Sequence, residues 1–353
     1  MTLALRDPTL LRTAGYAGGT WVSDTRTFAV RDPATGALLA EVGDLDAMAA
    51  ARAVEAAADA QPAWAARTAK ERAAVLRRWF DLVMAAQDDL ALLMTSEQGK
   101  PLAEARGEVA YGASFLEWFA EEAKRAYGEV IPTPVPGRRL LALKQPVGVA
   151  TAITPWNFPI AMLTRKAAPA LAAGCTFVVK PAAETPLSAL ALAVLAERAG
   201  VPAGVFNVLP TTGAQEVGEV LTQHPLVRKF SFTGSTAVGK RLAAQCAGTV
   251  KRVSLELGGN APFLVFADAD LDAAVAGAVA SRYRNAGQTC VCANRFLVQS
   301  SVADEFGRRL AAAVGTLRVG RGTEPGVVQG PLISPRAVEK VERLVADARA
   351  HGA

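Results

Sequence analysis

Between residues 147 and 232 the sequence alternates short apolar runs with longer helix-like segments, and this alternation most constrains the fold. The strand-like runs are Val147–Ile153, Phe177–Val179, Val205–Leu209 and Lys229–Phe232. Strands separated by helices of this length form βαβ units, which place the strands parallel in one sheet. A second series of strand-like runs begins at Arg252. The sequence therefore predicts an α/β fold built on a mostly parallel sheet.

The first 130 residues are mostly helical in pattern. Thr68 and Glu71 have the spacing of a capping box, which predicts the beginning of a helix. One aromatic and aliphatic set at helical spacing is expected to face the core: Val75, Leu76, Trp79, Phe80 and Val83. The helix after Pro101 is expected to bury three aromatic residues: Phe115, Trp118 and Phe119. For these aromatics we favour core packing over a ligand-binding box.

The length and composition exclude several classes of protein. The 353 residues, at roughly 150 per domain, predict two or three domains. Four Cys exclude a disulfide scaffold, and two His leave too few for a histidine metal site or a Ser-His triad, so no metal is expected. A dispersed net charge of +5 argues against nucleic-acid binding. No apolar run has the length of a signal peptide core or a membrane span, so we expect a cytoplasmic protein that does not contact membranes.

Polar or glycine-rich segments follow four of the predicted strands. These segments are Thr154–Pro159, Lys180-Pro181, Thr233–Gly239 and Glu256–Gly259. In an open α/β sheet, ligands bind beyond the carboxyl ends of the strands. The four segments are therefore expected to line one shared cleft.

Two of the loops carry residue types with specific chemistry. Gly234–Gly239 joins a strand to a helix, where glycines let the backbone approach a phosphate, although a tight structural turn would have the same sequence. Cys290 lies in a glycine-containing loop that can expose a nucleophilic thiol, whereas a lone Cys is usually a small buried apolar residue. With no usable His partner, a papain-like Cys-His pair is excluded. A Cys290 nucleophile with a Glu general base is possible, and Glu256 lies at another predicted strand end.

Five ordered motifs together resemble the aldehyde dehydrogenase superfamily. Glu256–Gly259 and Gly287–Cys290 are similar to its signature pair, and its other motifs are matched by Thr154–Pro159, Lys180-Pro181 and Phe232–Ser235. The resemblance extends over the chain from about residue 19. It is strongest to the succinate-semialdehyde dehydrogenase branch of the family.

The resemblance implies a domain organisation. A Rossmann-type cofactor domain would comprise residues 1–127 and 146–250, an oligomerisation hairpin 128–145, and a partial α/β catalytic domain 251–353. Members of the family continue beyond the position that matches residue 353, so the catalytic domain is expected to be cut short. Leu140–Leu143 resembles part of the hairpin, and the strand that would pair with it is expected to be missing. The full-length form is expected to be a homodimer or homotetramer.

The resemblance also implies a catalytic mechanism. Cys290 would attack the aldehyde carbon as a thiolate, and the Asn157 amide with the Cys290 backbone N–H would hold the oxyanion. Hydride transfer to the nicotinamide would leave a thioester. Glu256 would activate the water that hydrolyses this thioester. Because this position favours hydrolysis over thiolysis, a CoA-acylating reaction is disfavoured.

Further matches imply the cofactor contacts. Lys180 would bind the adenosine ribose, Ser235 the pyrophosphate with Gly234 permitting close approach, and Trp156 would wall the cleft. The remaining positions expected at the cofactor are Ala183, Gly239 and Leu257.

Position 183 bears on the choice between NAD and NADP. NAD-preferring relatives often have a Glu that binds the ribose hydroxyls there, and Ala183 would not repel a 2′-phosphate. We therefore predict that NADP is accepted and preferred over NAD. The alternative is that Glu184 takes this place and restores a preference for NAD.

Two arginines resemble those that hold the substrate's distal carboxylate in the succinate-semialdehyde branch. They are Arg165 and Arg284, and a guanidinium suits a carboxylate because it donates two parallel hydrogen bonds. Without the resemblance, both would be interpreted as surface arginines. The implied substrate is succinate semialdehyde. Glutarate semialdehyde, a broad range of aldehydes, and a nucleotide-binding fragment without turnover remain alternatives.

The other cysteines divide into two groups. Cys292 either forms a redox-sensitive disulfide with Cys290 or is a packing residue, and the sequence does not decide between the two. Cys175 and Cys246 lie in αβ contexts and are predicted to be core residues.

Overall fold

The computed structural model describes residues 3–353, which contain thirteen strands and eleven α-helices. The strands are β1 (Gly15–Ala17), β2 (Thr20–Val22), β3 (Thr27–Arg31), β4 (Leu38–Gly43), β5 (Glu129–Ile131), β6 (Leu140–Ala142), β7 (Val149–Ile153), β8 (Thr176–Lys180), β9 (Phe206–Val208), β10 (Val227–Gly234), β11 (Arg252–Leu257), β12 (Ala261–Val265) and β13 (Ala293–Val298). The helices are α1 (Ala47–Ala66), α2 (Ala69–Ala85), α3 (Gln87–Gln98), α4 (Leu102–Glu122), α5 (Pro159–Ala172), α6 (Pro186–Arg198), α7 (Ala214–Gln223), α8 (Thr236–Ala247), α9 (Leu271–Arg282), α10 (Ser300–Gly315) and α11 (Pro335–Ala350).

A seven-stranded sheet in the order β11-β10-β7-β8-β9-β1-β2 forms the centre of the molecule. The five strands from β11 to β9 are parallel, which confirms the predicted α/β fold. The antiparallel ribbon of β1 and β2 extends the sheet beyond β9. The sequence analysis missed this ribbon because each of its strands has only three residues, too few to show an alternating pattern.

Side chains of β7 and β8 alternate between two hydrophobic cores, one on each face of the sheet. Ala150 and Phe177 pack into the core that α2, α4, α5 and α6 share, whereas Val149 and Val178 pack into the core beneath α1, α7 and α8. Burial on both faces is the general property of parallel sheets and accounts for the continuously apolar strands in the sequence.

The helical layer agrees with the sequence-based expectation except at Trp118. The capping box of Thr68 and Glu71 is present at the start of α2. Trp79 is fully buried against Phe206, with ring centroids 5.1 Å apart. Trp118, in contrast, is 61% exposed, so its predicted burial is wrong. The buried face of α4 is formed instead by small and aliphatic residues: Ala105, Val109, Gly112, Ala113, Leu116 and Ala120.

The chain after β11 forms a smaller α/β unit. β12 and β13 are parallel and pack with α9 and α10 around Phe263, Phe296 and Phe306. β11 itself pairs with β10, so the first sheet continues to Leu257, beyond the predicted domain division at residue 250.

A glycine-rich segment, residues 320–330, lies against the turn between α3 and α4. The Leu102 N–H donates to the Gly322 carbonyl at 2.9 Å. A Cβ atom on Gly330 would lie only 2.0 Å from the Gly99 carbonyl oxygen. This backbone-to-backbone contact requires glycine and joins the smaller unit to the helical layer.

β5 and β6 form an exposed antiparallel hairpin in the predicted oligomerisation segment. The strand at Leu140 is thus one arm of this hairpin and pairs with Glu129–Ile131. Among residues 3–353, none of the helices combines the length and apolar character that crossing a bilayer requires.

Candidate active site

The polar segments that follow β7, β8, β10 and β11 lie at one edge of the sheet, as predicted. The register aligns Ile153 with Lys180 and Thr233 with Glu256, so these parallel strands end at the same level. The Thr154 N–H donates to the Lys180 carbonyl at 3.1 Å, which ties two of the loops together. Trp156, in the loop after β7, is half-buried.

Lys180 lies at the end of β8 with a buried side chain whose Nζ donates to the Pro181 carbonyl at 3.0 Å. Burial lowers the pKa of Lys180, and the carboxylates of Glu184 and Asp44 oppose that effect. Ala183 is half-buried, whereas Glu184 is exposed. The residue at the position that bears on cofactor choice is therefore uncharged, with a carboxylate one residue later.

The loop from β10 to α8 presents an exposed helix N-terminus. Ser235 is the N-cap of the twelve-residue helix α8, and its Oγ accepts the Val238 N–H at 3.4 Å. Free N–H groups in the first turn make such a position favourable for a phosphate. Gly234 precedes this turn, where a Cβ would lie 2.4 Å from the Phe232 ring.

Gly239 and Leu257 contact each other through the packing of α8 on β11. Gly239 is buried, and a Cβ there would lie 2.6 Å from Leu257 Cδ2. This close approach gives Gly239 a packing role in the structure, in addition to its predicted position at the cofactor.

Glu256 lines a cleft of about 880 Å³ that is also lined by several Lys and Arg side chains. Its carboxylate is 55% exposed, and Oε1 is 3.8 Å from Nη2 of Arg165. Lys166, the next residue on α5, donates to Ser231 Oγ at 3.1 Å, and burial lowers the pKa of Lys166 to about 8. Four further basic residues line the same cleft: Arg72, Lys144, Lys229 and Arg252.

Of the four cysteines, only Cys290 is exposed; Cys175, Cys246 and Cys292 are buried free thiols. The predicted core positions of Cys175 and Cys246 are thus confirmed. The backbone of Cys290 lies against the loop after β11, since a Cβ on Gly259 would be 3.7 Å from the Cys290 carbonyl oxygen. The two signature loops of the sequence are therefore adjacent in space.

Cys292 points away from the exposed thiol into the protein. Its sulfur accepts the Thr289 hydroxyl and lies 3.7 Å from the Arg282 carbonyl. These contacts favour the packing interpretation of Cys292 over the disulfide with Cys290.

Asn157 connects the loop after β7 to the loop that carries Cys290. Its Nδ2 donates to the Gln288 carbonyl at 3.0 Å. Because a carbonyl only accepts hydrogen bonds, this contact fixes which end of the amide faces Gln288. The backbone carbonyl oxygen of Asn157 accepts two hydrogen bonds, from Lys100 Nζ at 2.8 Å and from Asn285 Nδ2 at 3.1 Å.

The structure reveals a buried polar group beneath this loop that the sequence analysis missed. Lys100 and Glu108 form an ion pair in which both side chains are 1% exposed. Gln98 Nε2 donates to Asn285 Oδ1 at 3.0 Å, and Glu104 accepts the Asn285 N–H at 2.9 Å. The one local signal was the Gly-Lys-Pro sequence at the end of α3, where Gly99 has a φ of 94°.

The two candidate substrate arginines line different cavities. Arg165 lies on the cleft with Glu256, whereas Arg284 lines a cavity of about 530 Å³ with Glu104 and Glu108. The Arg284 guanidinium stacks over the Phe158 ring, 4.8 Å from its centroid. The structure therefore does not bring the two arginines together as one clamp.

The described residues 3–353 contain no cluster of three His, Cys, Asp or Glu side chains that could hold a metal ion.

Comparison with known proteins agrees with the motifs. The model of the aldehyde dehydrogenase family matches residues 21–353. Glutarate-semialdehyde dehydrogenase of Pseudomonas aeruginosa is 61% identical over 99% of this chain and 73% of its own length. The NADP(+) succinate-semialdehyde dehydrogenase of Escherichia coli is 59% identical, with the same coverage. The crystal structure of succinate-semialdehyde dehydrogenase from Burkholderia pseudomallei has a TM-score of 0.97 at 61% identity, covering 99% of this chain and 73% of that one.

Proposed function

Because the chain belongs to the aldehyde dehydrogenase family, we propose that it oxidises succinate semialdehyde to succinate with NADP as the preferred hydride acceptor. The observation that carries this proposal is the exposed thiol of Cys290, whose backbone lies against the loop that follows Glu256. Glu256 and Arg165 line one cleft with several other basic side chains. An exposed nucleophile, a carboxylate base and an arginine suit an aldehyde that also bears a carboxylate.

Three side chains of the chain take part in the proposed reaction, and the cofactor accepts the hydride. The Cys290 thiolate adds to the aldehyde carbon, and the Asn157 amide donates to the oxygen that becomes negative. Bound NAD(P) supplies the acceptor for the hydride that leaves this carbon. Glu256 then removes a proton from water as the water attacks the resulting thioester, and the C–S bond breaks to release the carboxylic acid and the Cys290 thiolate. The acid then loses its remaining proton to solvent.

The cofactor residues fit a dinucleotide with a 2′-phosphate. Ser235 and the free N–H groups of α8 suit the pyrophosphate. Lys180 lies at the end of β8, which β7 separates from β10 at the same edge of the sheet. Ala183 places no carboxylate where the 2′-phosphate would be repelled. Trp156 is half-buried at the same edge, consistent with a wall of the cleft. An NAD preference through the exposed Glu184 is the competing interpretation.

Arg165 is the better supported of the two substrate arginines. The 3.8 Å between its Nη2 and Glu256 is too long for a hydrogen bond, so this nitrogen is available to a substrate carboxylate. Nη1 contacts the Met162 sulfur at 3.8 Å, which is a weak acceptor that a carboxylate could replace. Arg284 would reach the same carboxylate only by leaving the Phe158 ring. Glutarate semialdehyde, one methylene longer, satisfies the same argument and is the alternative substrate.

The experiment is NADPH formation by the purified chain, followed at 340 nm with succinate semialdehyde, glutarate semialdehyde and uncharged butanal. We expect the highest kcat/KM with succinate semialdehyde and a higher value with NADP than with NAD. A higher value with glutarate semialdehyde would replace the substrate assignment, and a strong NAD preference would reject the role of Ala183. Cofactor binding by fluorescence without any NADPH formation would support a nucleotide-binding fragment instead.

The organisation into domains and subunits is also part of the proposal. We infer that the sheet up to Leu257 with its helices binds the cofactor, and that the unit around β12 and β13 supplies Cys290. The exposed β5–β6 hairpin suits subunit association, for which a homodimer or homotetramer is proposed. Light scattering on the protein with and without the hairpin residues tests this.

A further inference from the structure

We propose that the buried Lys100–Glu108 ion pair is a positioning element that holds Asn157 and the loop carrying Cys290 in one geometry. This inference rests on the proposed function, in which Asn157 serves the Cys290 adduct. Neither side chain of the pair is needed to explain the sheet or its hydrophobic cores. Lys100 reaches the catalytic loops from the α3–α4 turn, and Glu108 reaches them from α4.

Glu108 fixes the beginning of helix α5, two residues after Asn157. Its Oε1 accepts the N–H groups of Ile160 at 3.0 Å and Ala161 at 3.3 Å. The N-cap residue, Phe158, provides no side-chain acceptor for these groups. A carboxylate from α4 therefore takes the place of a local cap, and a buried free N–H would otherwise destabilise this helix start.

Lys100 transfers this constraint to Asn157 itself. Its Nζ binds the second oxygen of Glu108 and donates to the Asn157 carbonyl at 2.8 Å. The ammonium also lies 4.1 Å from the centroid of the Phe158 ring. Because a buried charge is stable only when paired, the position of Lys100 is determined by Glu108 and in turn determines that of Asn157.

Asn285 connects the same carbonyl to the Cys290 loop. Its Nδ2 donates both to the Asn157 carbonyl and to the Gln288 carbonyl, at 3.1 and 3.3 Å. Asn285 has a φ of 51°, a left-handed conformation that a non-glycine residue keeps only when its surroundings hold it there. The backbone carbonyl oxygen of Asn157 thus connects the Lys100–Glu108 pair to the loop that carries Cys290.

Two variants separate positioning from stability: Lys100→Met, and the double variant that combines Lys100→Met with Glu108→Gln. We expect Lys100→Met to lower kcat about ten- to hundredfold with little change in KM, since small displacements of a reacting geometry have effects of this size. The double variant leaves no unpaired buried charge and should recover much of the melting temperature lost in Lys100→Met. Its kcat should stay low because the donor to the Asn157 carbonyl is still absent. Recovery of both quantities would show that the pair is only structural and would overturn the proposal.

Asp89→Asn is the matched control. Asp89 is a buried carboxylate on α3 that accepts the N–H groups of Arg6 and Asp7, away from the catalytic loops. We expect it to lower the melting temperature without lowering kcat. A kcat loss equal to that of Lys100→Met would count against a specific positioning role.

A readout without turnover separates this proposal from the proposed function. Hydrogen exchange of peptides covering residues 157–161 and 284–290 should accelerate in Lys100→Met, and the rate of Cys290 alkylation by iodoacetamide should change. If the wild-type chain forms no NADPH while these changes occur, the function fails and the positioning role stands. Unchanged exchange and alkylation in Lys100→Met would refute the positioning role itself.

Discussion

The candidate site has a buried side and an open side that hold their charges differently. On the buried side, Lys100 and Glu108 are 1% exposed, and the Lys100 ammonium and both Glu108 oxygens have hydrogen-bond partners. On the open side, Arg165 and Glu256 are 32% and 55% exposed and 3.8 Å apart. The same two kinds of charge thus form a saturated network in one place and a loose pair in the other.

This difference indicates that the buried side fixes the geometry of the site and that the open side provides groups that can bind substrate and water. A fully paired buried network is rigid because each broken contact would leave a desolvated polar atom. A half-exposed pair keeps its donors and acceptors available for substrate and water. Substitutions on the open side should therefore change reactivity at a nearly constant melting temperature, whereas single substitutions on the buried side should lower both stability and kcat.

The largest effect is expected at Cys290. Cys290→Ser should lower kcat by at least about four orders of magnitude, since losing a covalent nucleophile removes the reaction path. The melting temperature should be unchanged because this side chain is exposed. Cys292→Ser is the matched control and should retain most activity. Comparable losses in both variants would show that the exposed thiol is not the specific nucleophile.

Glu256→Gln should slow steady-state turnover about 10³-fold, within the range for loss of a general base. Because hydride transfer precedes thioester hydrolysis, a rapid burst of about one NADPH per active chain should remain in stopped-flow measurements. The exposed Glu129→Gln is the control and should turn over normally. Absence of the burst, with Cys290 still reactive to iodoacetamide, would place the role of Glu256 before hydride transfer.

Arg165→Met should raise KM for succinate semialdehyde about tenfold or more, the size expected for one charge-assisted contact. KM for butanal should hardly change, since butanal has no carboxylate. Steady-state kinetics with both aldehydes measure the difference, and Arg125→Met, a surface arginine paired with Glu122, is the control. Equal increases for both substrates would reject the carboxylate contact.

The smallest effect concerns Glu97, a buried carboxylate on α3 that accepts the N–H groups of Leu187 and Ser188 at 2.8 Å. Burial raises the pKa of Glu97 from 4.5 to about 8. The folded state therefore keeps a proton that the unfolded chain has released, and this contribution to stability, complete below pH 4.5, is lost as the pH rises through about 8. Between pH 5 and pH 8 the melting temperature of the wild type should fall by about 2–4 °C relative to Glu97→Gln. The exposed Glu129→Gln should follow the wild type, and parallel curves for all three proteins would contradict the prediction.

The parts of the site that could be predicted from the sequence are short contiguous motifs at the ends of strands. Glu256 and Lys180 could be placed at one edge because parallel strands end together. The ion pair of Lys100 and Glu108 could not be found this way. Lys100 lies in the turn between two helices, and Glu108 lies on α4, whose pattern reports only which face is buried. Trp118 shows the same limit: its hydrophobicity predicted burial, but its exposure depends on which helices pack against α4.

The contact between the glycine-rich segment and the α3–α4 turn has a consequence for folding kinetics. Gln98 binds Asn285 across a sequence separation of 187 residues. Gly330 closes on Gly99 from still later in the chain. Contacts of such high contact order form late, because the loop entropy must be overcome before they stabilise the structure. During synthesis the helical layer can therefore assemble well before its polar turn finds partners, and reactivity of Cys290 should be among the last properties that the folding chain acquires.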